Sequence, residues 1–315
     1  MMGRFISFGF LVLALLVSHV AQAADDRALP GSLVTAQWLK QHLNDPDLVV
    51  LDTSVLIEFD DKGAMSTRSG RERYDKGHIP TAAFADLMGD LVDTTSQYLY
   101  AMPKPEQFAA AMARLGVDDS STVVLYAGDF SAWAARVWWM LRWIGFDNAA
   151  ILDGGLSSWT KAGFELSTEP PRINQAKLSI SLRPDLVVQR DEVFAGISDT
   201  SVTLIDAMPA AHFRGEMVMY GRSGHIPTAV NVPTVFADDG HFLSDEVLTS
   251  LHPFDRSKRV VTYCGGGISA SANAFAMHRL GFSNVGVYMN SLDEWADSPQ
   301  NPLIMEAQQF LDKTK

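Results

Sequence analysis

Val260-Val261-Thr262-Tyr263-Cys264-Gly265-Gly266-Gly267-Ile268-Ser269-Ala270 joins an apolar run to a glycine-rich turn. The first four residues, apolar or β-branched and closed by Tyr263, read as a buried strand. Beyond them, Ser271-Ala272-Asn273-Ala274-Phe275-Ala276-Met277 is alanine-rich and favours helix. Strand, tight loop and helix in that order form the turn of a parallel α/β sheet, and such turns lie at the carboxyl ends of strands, where ligands bind. Consecutive glycines let backbone N–H groups converge without Cβ obstruction. The start of the following helix adds roughly half a positive charge. The predicted product is a nest of donors that favours a thiolate at Cys264 and any anion held above it, with Gly265, Gly266, Gly267, Ile268 and Ser269 as the substrate-binding loop.

Cys264 is the only cysteine in the chain. Free cysteines commonly serve as small buried hydrophobes, but a core residue has no need of three glycines behind it. The first residues sharpen the contrast. Arg4, an apolar run from Phe5 to Val17 and the small-residue pattern Ala21-Gln22-Ala23 read as a signal peptide over 1–23, with the mature chain starting near Ala24. The run is shorter than the ~20 residues a membrane-spanning helix needs, so no membrane association is expected after cleavage. The setting predicted is periplasmic or secreted. There, cysteines ordinarily pair as disulfides, and a single thiol with no partner in its own chain reads as one that is used.

Composition narrows the classes further. A chain of 315 residues with 47% hydrophobic content carries enough apolar material for two domains. The formal charge of −12 becomes −13 when Arg4 leaves with the signal peptide. Such a surface offers no general attraction to nucleic acid or anionic lipid, so any bound anion must be drawn by a local field.

The landmarks around the loop recur earlier in the chain. Leu48-Val49-Val50-Leu51-Asp52 and Gly77-His78-Ile79-Pro80-Thr81-Ala82 are matched by Val202-Thr203-Leu204-Ile205-Asp206 and Gly224-His225-Ile226-Pro227-Thr228-Ala229. Tyr126 and Tyr263, Gly145 and Gly281, and Trp159 and Trp295 stand 137, 136 and 136 residues apart. The earlier landmarks stand further apart, so the first copy is the longer one between its His-Ile-Pro element and its Tyr strand. Two copies of one unit, each alternating strands with helices, predict an α/β fold with two mostly parallel sheets. The boundaries expected are 24–165 for the first domain and 181–315 for the second. Ser167-Thr168-Glu169-Pro170-Pro171-Arg172 falls in the linker at 166–180, because paired prolines cannot continue a helix. The aromatic run around Val137-Trp138-Trp139-Met140-Leu141 reads as core.

The paired Gly-His-Ile-Pro elements, the Tyr-Cys-Gly-x-Gly-x-x-Ala loop and the closing Trp resemble the tandem rhodanese family of sulfurtransferases, over nearly all of the mature chain. The resemblance implies two rhodanese-like domains with a nucleophile only in the second. The first has Tyr126-Ala127-Gly128-Asp129-Phe130-Ser131 at the loop position and no cysteine. It also implies a ping-pong reaction: the thiolate takes sulfane sulfur from a small-molecule donor such as thiosulfate or 3-mercaptopyruvate, forms a persulfide, and passes the sulfur to cyanide or a thiol. No cofactor or metal is implied. Cys-Gly-x-Gly resembles the mercaptopyruvate branch. That branch, however, has a serine where Gly266 stands and an arginine aligned with His212, and its Tyr-Asp-Gly-Ser before the closing Trp is here Tyr288-Met289-Asn290-Ser291.

Arg214 and Arg222 lie where family members place substrate-holding arginines, and a guanidinium grips a carboxylate or sulfonate bidentately; the competing reading of each is a surface charge or a loop tie. His78 and His225, Asp52 and Asp206, and Trp159 and Trp295 occur in both copies, one of which has no nucleophile, and so read as architecture. Two rivals remain in view. A cysteine phosphatase needs an arginine where Ala270 stands, and a non-catalytic sulfur carrier or redox sensor needs the same reactive thiol without turnover.

Overall fold

The computed structural model of the chain describes residues 28–61 and 65–305, so the expected signal peptide lies outside the described residues. The first unit runs β1 (Leu33–Val34), α1 (Ala36–His42), β2 (Leu48–Asp52), β3 (Val55–Phe59), β4 (Met65–Ser69), α2 (Arg71–Lys76), β5 (Ala83–Phe84), α3 (Pro105–Arg114), β6 (Thr122–Tyr126), α4 (Ala132–Trp143), β7 (Ala149–Leu152) and α5 (Gly155–Lys161). After a 3-10 turn at Pro184–Leu186, the second runs β8 (Val187–Val188), α6 (Arg190–Gly196), β9 (Val202–Asp206), α7 (Ala210–Phe213), β10 (Val230–Asn231), α8 (Asp245–Leu251), β11 (Arg259–Tyr263), α9 (Ile268–Arg279), β12 (Val285–Tyr288) and α10 (Ser291–Trp295). Within the expected linker, 166–180, no helix or strand forms.

Each unit builds a five-stranded sheet, in the orders β1-β7-β6-β2-β5 and β8-β12-β11-β9-β10. The orders are equivalent and every pair in both sheets is parallel. The two domains are therefore α/β units with helices flanking a parallel sheet. Helices on both faces explain why the central strands β6 and β11 are continuously buried, Val-Val-Leu and Val-Val-Thr, rather than alternating.

One feature of the first unit has no counterpart in the second. β3 and β4 pair antiparallel, from Val55 opposite Ser69 to Phe59 opposite Met65. This hairpin lengthens the first copy before its His-Ile-Pro element, a difference the repeat spacing alone did not resolve into strands. Its residues are mixed and mostly exposed, so it carries neither a clean alternation nor a buried run.

The domains meet through equivalent helices. Helix α4 is buried almost all round, Ala132 to Leu141, as befits a helix enclosed by its own sheet and by a second domain. Trp138 is 1% exposed and packs edge-on against Phe275 of α9, with ring centroids 4.7 Å apart. Its indole N–H donates to the Ala149 carbonyl at 2.8 Å.

Residues repeated between the copies do the same work in each. Ile79 N–H donates to the Tyr126 hydroxyl at 3.2 Å, and Ile226 N–H to that of Tyr263 at 3.0 Å. His78 stacks on Tyr74 at 4.0 Å and His225 on Phe213 at 3.7 Å. Trp159 and Trp295 each donate to a carbonyl, of Glu165 and Pro302, at 3.0 Å. Asp52 accepts the Ser54 N–H at 2.9 Å, and Asp206 accepts that of Met208 at 2.7 Å.

Burial pushes the Asp206 carboxyl up to about 7. In the unfolded chain an aspartate ionises near pH ~3.9, so the stability this group confers is fully present below that value and is lost as pH rises through about 7. Asp206→Asn is expected to flatten the pH dependence of the urea midpoint between about pH 4 and about pH 7. A variant whose profile parallels the parent's would remove Asp206 from the titration.

Candidate active site

Cys264 follows β11 directly and is 4% exposed. Its N–H donates to the Ser291 hydroxyl at 3.0 Å, and that hydroxyl donates onward to the Tyr288 carbonyl at 2.6 Å. The Cys264 and Gly265 carbonyls accept from the N–H groups of Leu292 at 3.0 Å and Asp293 at 2.9 Å. The first turn of α10 thus engages the carbonyls of Cys264 and Gly265. Among the described residues, the N–H groups from Gly265 to Ala270 donate to no protein acceptor. Buried backbone donors are rarely left unpaired in native structures, and a row of them at the start of the long helix α9 forms an anion cradle.

The glycines are required by close approach. Gly267 has φ 81°, and a methyl group there would overlap the Met289 carbonyl and lie 2.5 Å from the Arg136 guanidinium. At Gly265 it would run into the Tyr220 ring, and at Gly266 it would lie 2.8 Å from the Tyr100 ring. Ser291, at φ 51°, occupies a conformation that costs a non-glycine residue of order 1 kcal/mol. Its reward is the bond that orients Cys264.

Above the loop opens a cleft of about 720 Å³, walled by the hairpin residues Phe59, Met65 and Thr67, by Leu99 and Tyr100, and by Met217 to Tyr220, with Gly266 at its floor and Asp293 at one side. Both tyrosine hydroxyls are pushed up by burial, as is the Asp293 carboxyl. A second hollow of about 730 Å³ lies between Leu43–Val50 and Pro170–Gln175. It sits at the amino ends of the first sheet's strands, the opposite end from the one where α/β sheets bind ligands.

Of the loop residues expected from sequence, Gly266 lines this cleft, Cys264, Gly265, Gly267 and Ile268 are buried and do not, and Ser269 lines a separate hollow with Phe130, Phe236 and Asn273. Arg214 and Arg222 are not among the residues lining the cleft. Arg214 forms a two-pronged pair with Glu216, both contacts at 2.7 Å. Arg222 donates to the carbonyls of Ala296 at 3.1 Å, Ser298 at 2.9 Å and Asn301 at 2.8 Å, the geometry of a loop tie rather than a substrate clamp. Arg222→Ala is therefore expected to lower stability by about 2 kcal/mol through the unsatisfied carbonyls. The check is a urea unfolding curve set beside donor kinetics; unchanged stability with a raised donor KM would restore the substrate-holding reading.

Tyr100, Tyr220, Ser291, Asp293 and Arg136 were not singled out by sequence reasoning. A charge within the otherwise apolar run Ala132–Leu141 was the available signal for Arg136.

A single buried cysteine at the carboxyl end of a parallel sheet, before a glycine loop and a helix start, in the second of two repeated domains, is an arrangement suited to group-transfer chemistry. The Rhodanese-like domain family matches residues 35–162 and 189–298. The chain belongs to the rhodanese family and is a sulfurtransferase of that type. It is 32% identical to 3-mercaptopyruvate sulfurtransferase of Escherichia coli K12 over 281 residues, spanning 86% of this chain and 98% of that enzyme. With thiosulfate sulfurtransferase of Gallus gallus it shares 31% identity, over 85% of this chain and 94% of the relative. The crystal structure of SseA from Escherichia coli, a 3-mercaptopyruvate sulfotransferase of rhodanese fold, superposes with a TM-score of 0.72 at 31% identity, covering 82% of this chain and 98% of that one.

Proposed function

We propose that this enzyme moves a sulfane sulfur from thiosulfate or 3-mercaptopyruvate to cyanide or a thiol acceptor through a persulfide on Cys264. The observation that carries the reading is a single cysteine followed at once by a row of N–H groups, Gly265 to Ala270, that have no protein acceptor among the described residues. In the first half-reaction the Cys264 thiolate attacks the outer sulfur of the donor. A new S–S bond forms as the donor's bond to that sulfur breaks, and the electron pair leaves on sulfite or, with a proton from the donor's own thiol, on the methyl carbon of pyruvate. The persulfide anion then carries the charge the thiolate brought, and the cradle stabilises it with donors already in place. In the second half-reaction cyanide or a thiolate attacks the terminal sulfur, and the pair in the S–S bond returns to Cys264. Each half keeps one anion at the same point, so one cradle serves both.

The first domain supports the site without a nucleophile of its own. At its loop position Asp129 is paired with Arg73 at 2.8 Å. We place the enzyme in the periplasm or outside the cell, on the strength of Arg4, the apolar run from Phe5 to Val17 and Ala21-Gln22-Ala23.

The test is steady-state thiocyanate production from each donor with cyanide as acceptor. Turnover with at least one donor is expected. A persulfide that forms once and is not discharged by cyanide or by thiols would replace the enzyme with a sulfur carrier.

A further inference from the structure

Arg136 lies on α4 of the domain that has no nucleophile, yet its guanidinium reaches the catalytic loop. It is 1% exposed. Its Nη2 donates to the Tyr100 carbonyl at 2.6 Å, its Nη1 meets the Met289 sulfur at 2.6 Å, and Nη2 lies 3.5 Å from the Met102 sulfur. Its Nε has no acceptor, and no carboxylate pairs with it among the described residues. Nη1 is the atom that would lie 2.5 Å from a methyl group on Gly267. A buried guanidinium bonded only to neutral acceptors is unusual, because desolvating a charge costs several kcal/mol unless a counter-charge or a full set of bonds compensates.

The ionisable groups whose charge it senses are Cys264 and Tyr100. Tyr100 shares its hydroxyl with that of Thr67 at 2.5 Å, and burial keeps it protonated. Only the sulfur is left to carry a negative charge. We infer that Arg136 is the built-in counter-ion of the Cys264 thiolate and of its persulfide, supplied across the domain interface. The inference rests on Cys264 being the sulfur-carrying group. Burial lowers the guanidinium only to about 10, so it stays charged at neutral pH. Tyr220 faces the same sulfur and is no cation, and Asp293 stands beside Tyr100 and Tyr220. A loop of neutral N–H groups therefore works beside one full charge, and the domain without a nucleophile supplies it. Arg136 is a positioning residue: it acts on the sulfur's charge and does not line the cleft.

The test is the pH dependence of Cys264 alkylation by iodoacetamide in the full chain, comparing Arg136→Met, Arg136→Gln and Arg136→Lys, with circular dichroism to establish folding. An opposite charge at such a site moves a titration by about 1 to 3 pH units. The Met and Gln variants are expected to show a midpoint raised by about that much and a roughly tenfold or larger loss of alkylation rate at neutral pH. The Lys variant should stay close to the parent. The plateau rate at high pH, where every thiol is ionised, should agree among all four proteins. A merely structural role would move the plateau and leave the midpoint. Gln keeps donors for the Tyr100 carbonyl and carries the test if the Met variant does not fold. Folded Met or Gln variants with the parent's midpoint would overturn the inference. Because alkylation needs no turnover, that result would leave sulfur transfer itself standing, whereas loss of the function proposal would show as transfer that survives Cys264→Ser.

Discussion

Cys264→Ser is expected to lower thiocyanate formation at least about a thousandfold with either donor while the urea midpoint moves little. The chemistry requires the collapse because a serine hydroxyl is not ionised near neutrality and cannot hold sulfane sulfur as a persulfide. The fold tolerates the change because Cys264 enters the structure mainly through its backbone: its N–H is held by Ser291 and its carbonyl by Leu292. Serine preserves both bonds. The check is kcat/KM beside an unfolding curve for the same preparation. Retained activity would remove Cys264 from the mechanism, and loss of fold would show that the side chain matters chiefly as core.

The largest effect on stability is expected at the domain interface. Trp138→Ala should cost about 3 to 5 kcal/mol, the range for truncating a buried aromatic whose site cannot collapse. The indole is 1% exposed, stacked edge-on against Phe275 across the two domains, and bonded to the Ala149 carbonyl. Its removal leaves a cavity between α4 and α9 and an acceptor without its donor. Since α9 begins at the catalytic loop, the same change should loosen Cys264, visible as faster proteolysis of the second domain. Equilibrium unfolding in urea measures the cost; a loss below about 1 kcal/mol would mean the interface repacks freely.

The elements legible in the sequence are those whose signal is local or repeated. Tyr263-Cys264-Gly265-Gly266-Gly267 announces strand, loop and helix because glycine and an apolar run act on their own backbone. The duplication announces two sheets of one order because Asp, His-Ile-Pro, Tyr and Trp recur in register. Residues whose roles arise only from chain segments meeting in space were hidden. Tyr100 and the β3–β4 hairpin come from the first domain to wall a cleft in the second, and neither carries a periodicity that separates it from an ordinary loop. Arg222 sits at a position where family resemblance implies a substrate clamp, but the carbonyls of Ala296, Ser298 and Asn301 take up its donors. Arg136 could have been suspected from one charge inside an apolar helix. What that charge faces is decided by α9 and by the turn at Met289, more than 100 residues away.

The intact mass of the protein after brief exposure to donor without acceptor reports the persulfide itself. A gain of one sulfur atom is expected, mapped to the peptide carrying Cys264 and lost on adding cyanide with one thiocyanate released per chain. Transfer that proceeds at full rate with no such gain, or a gain that persists in Cys264→Ser, would place the sulfur elsewhere.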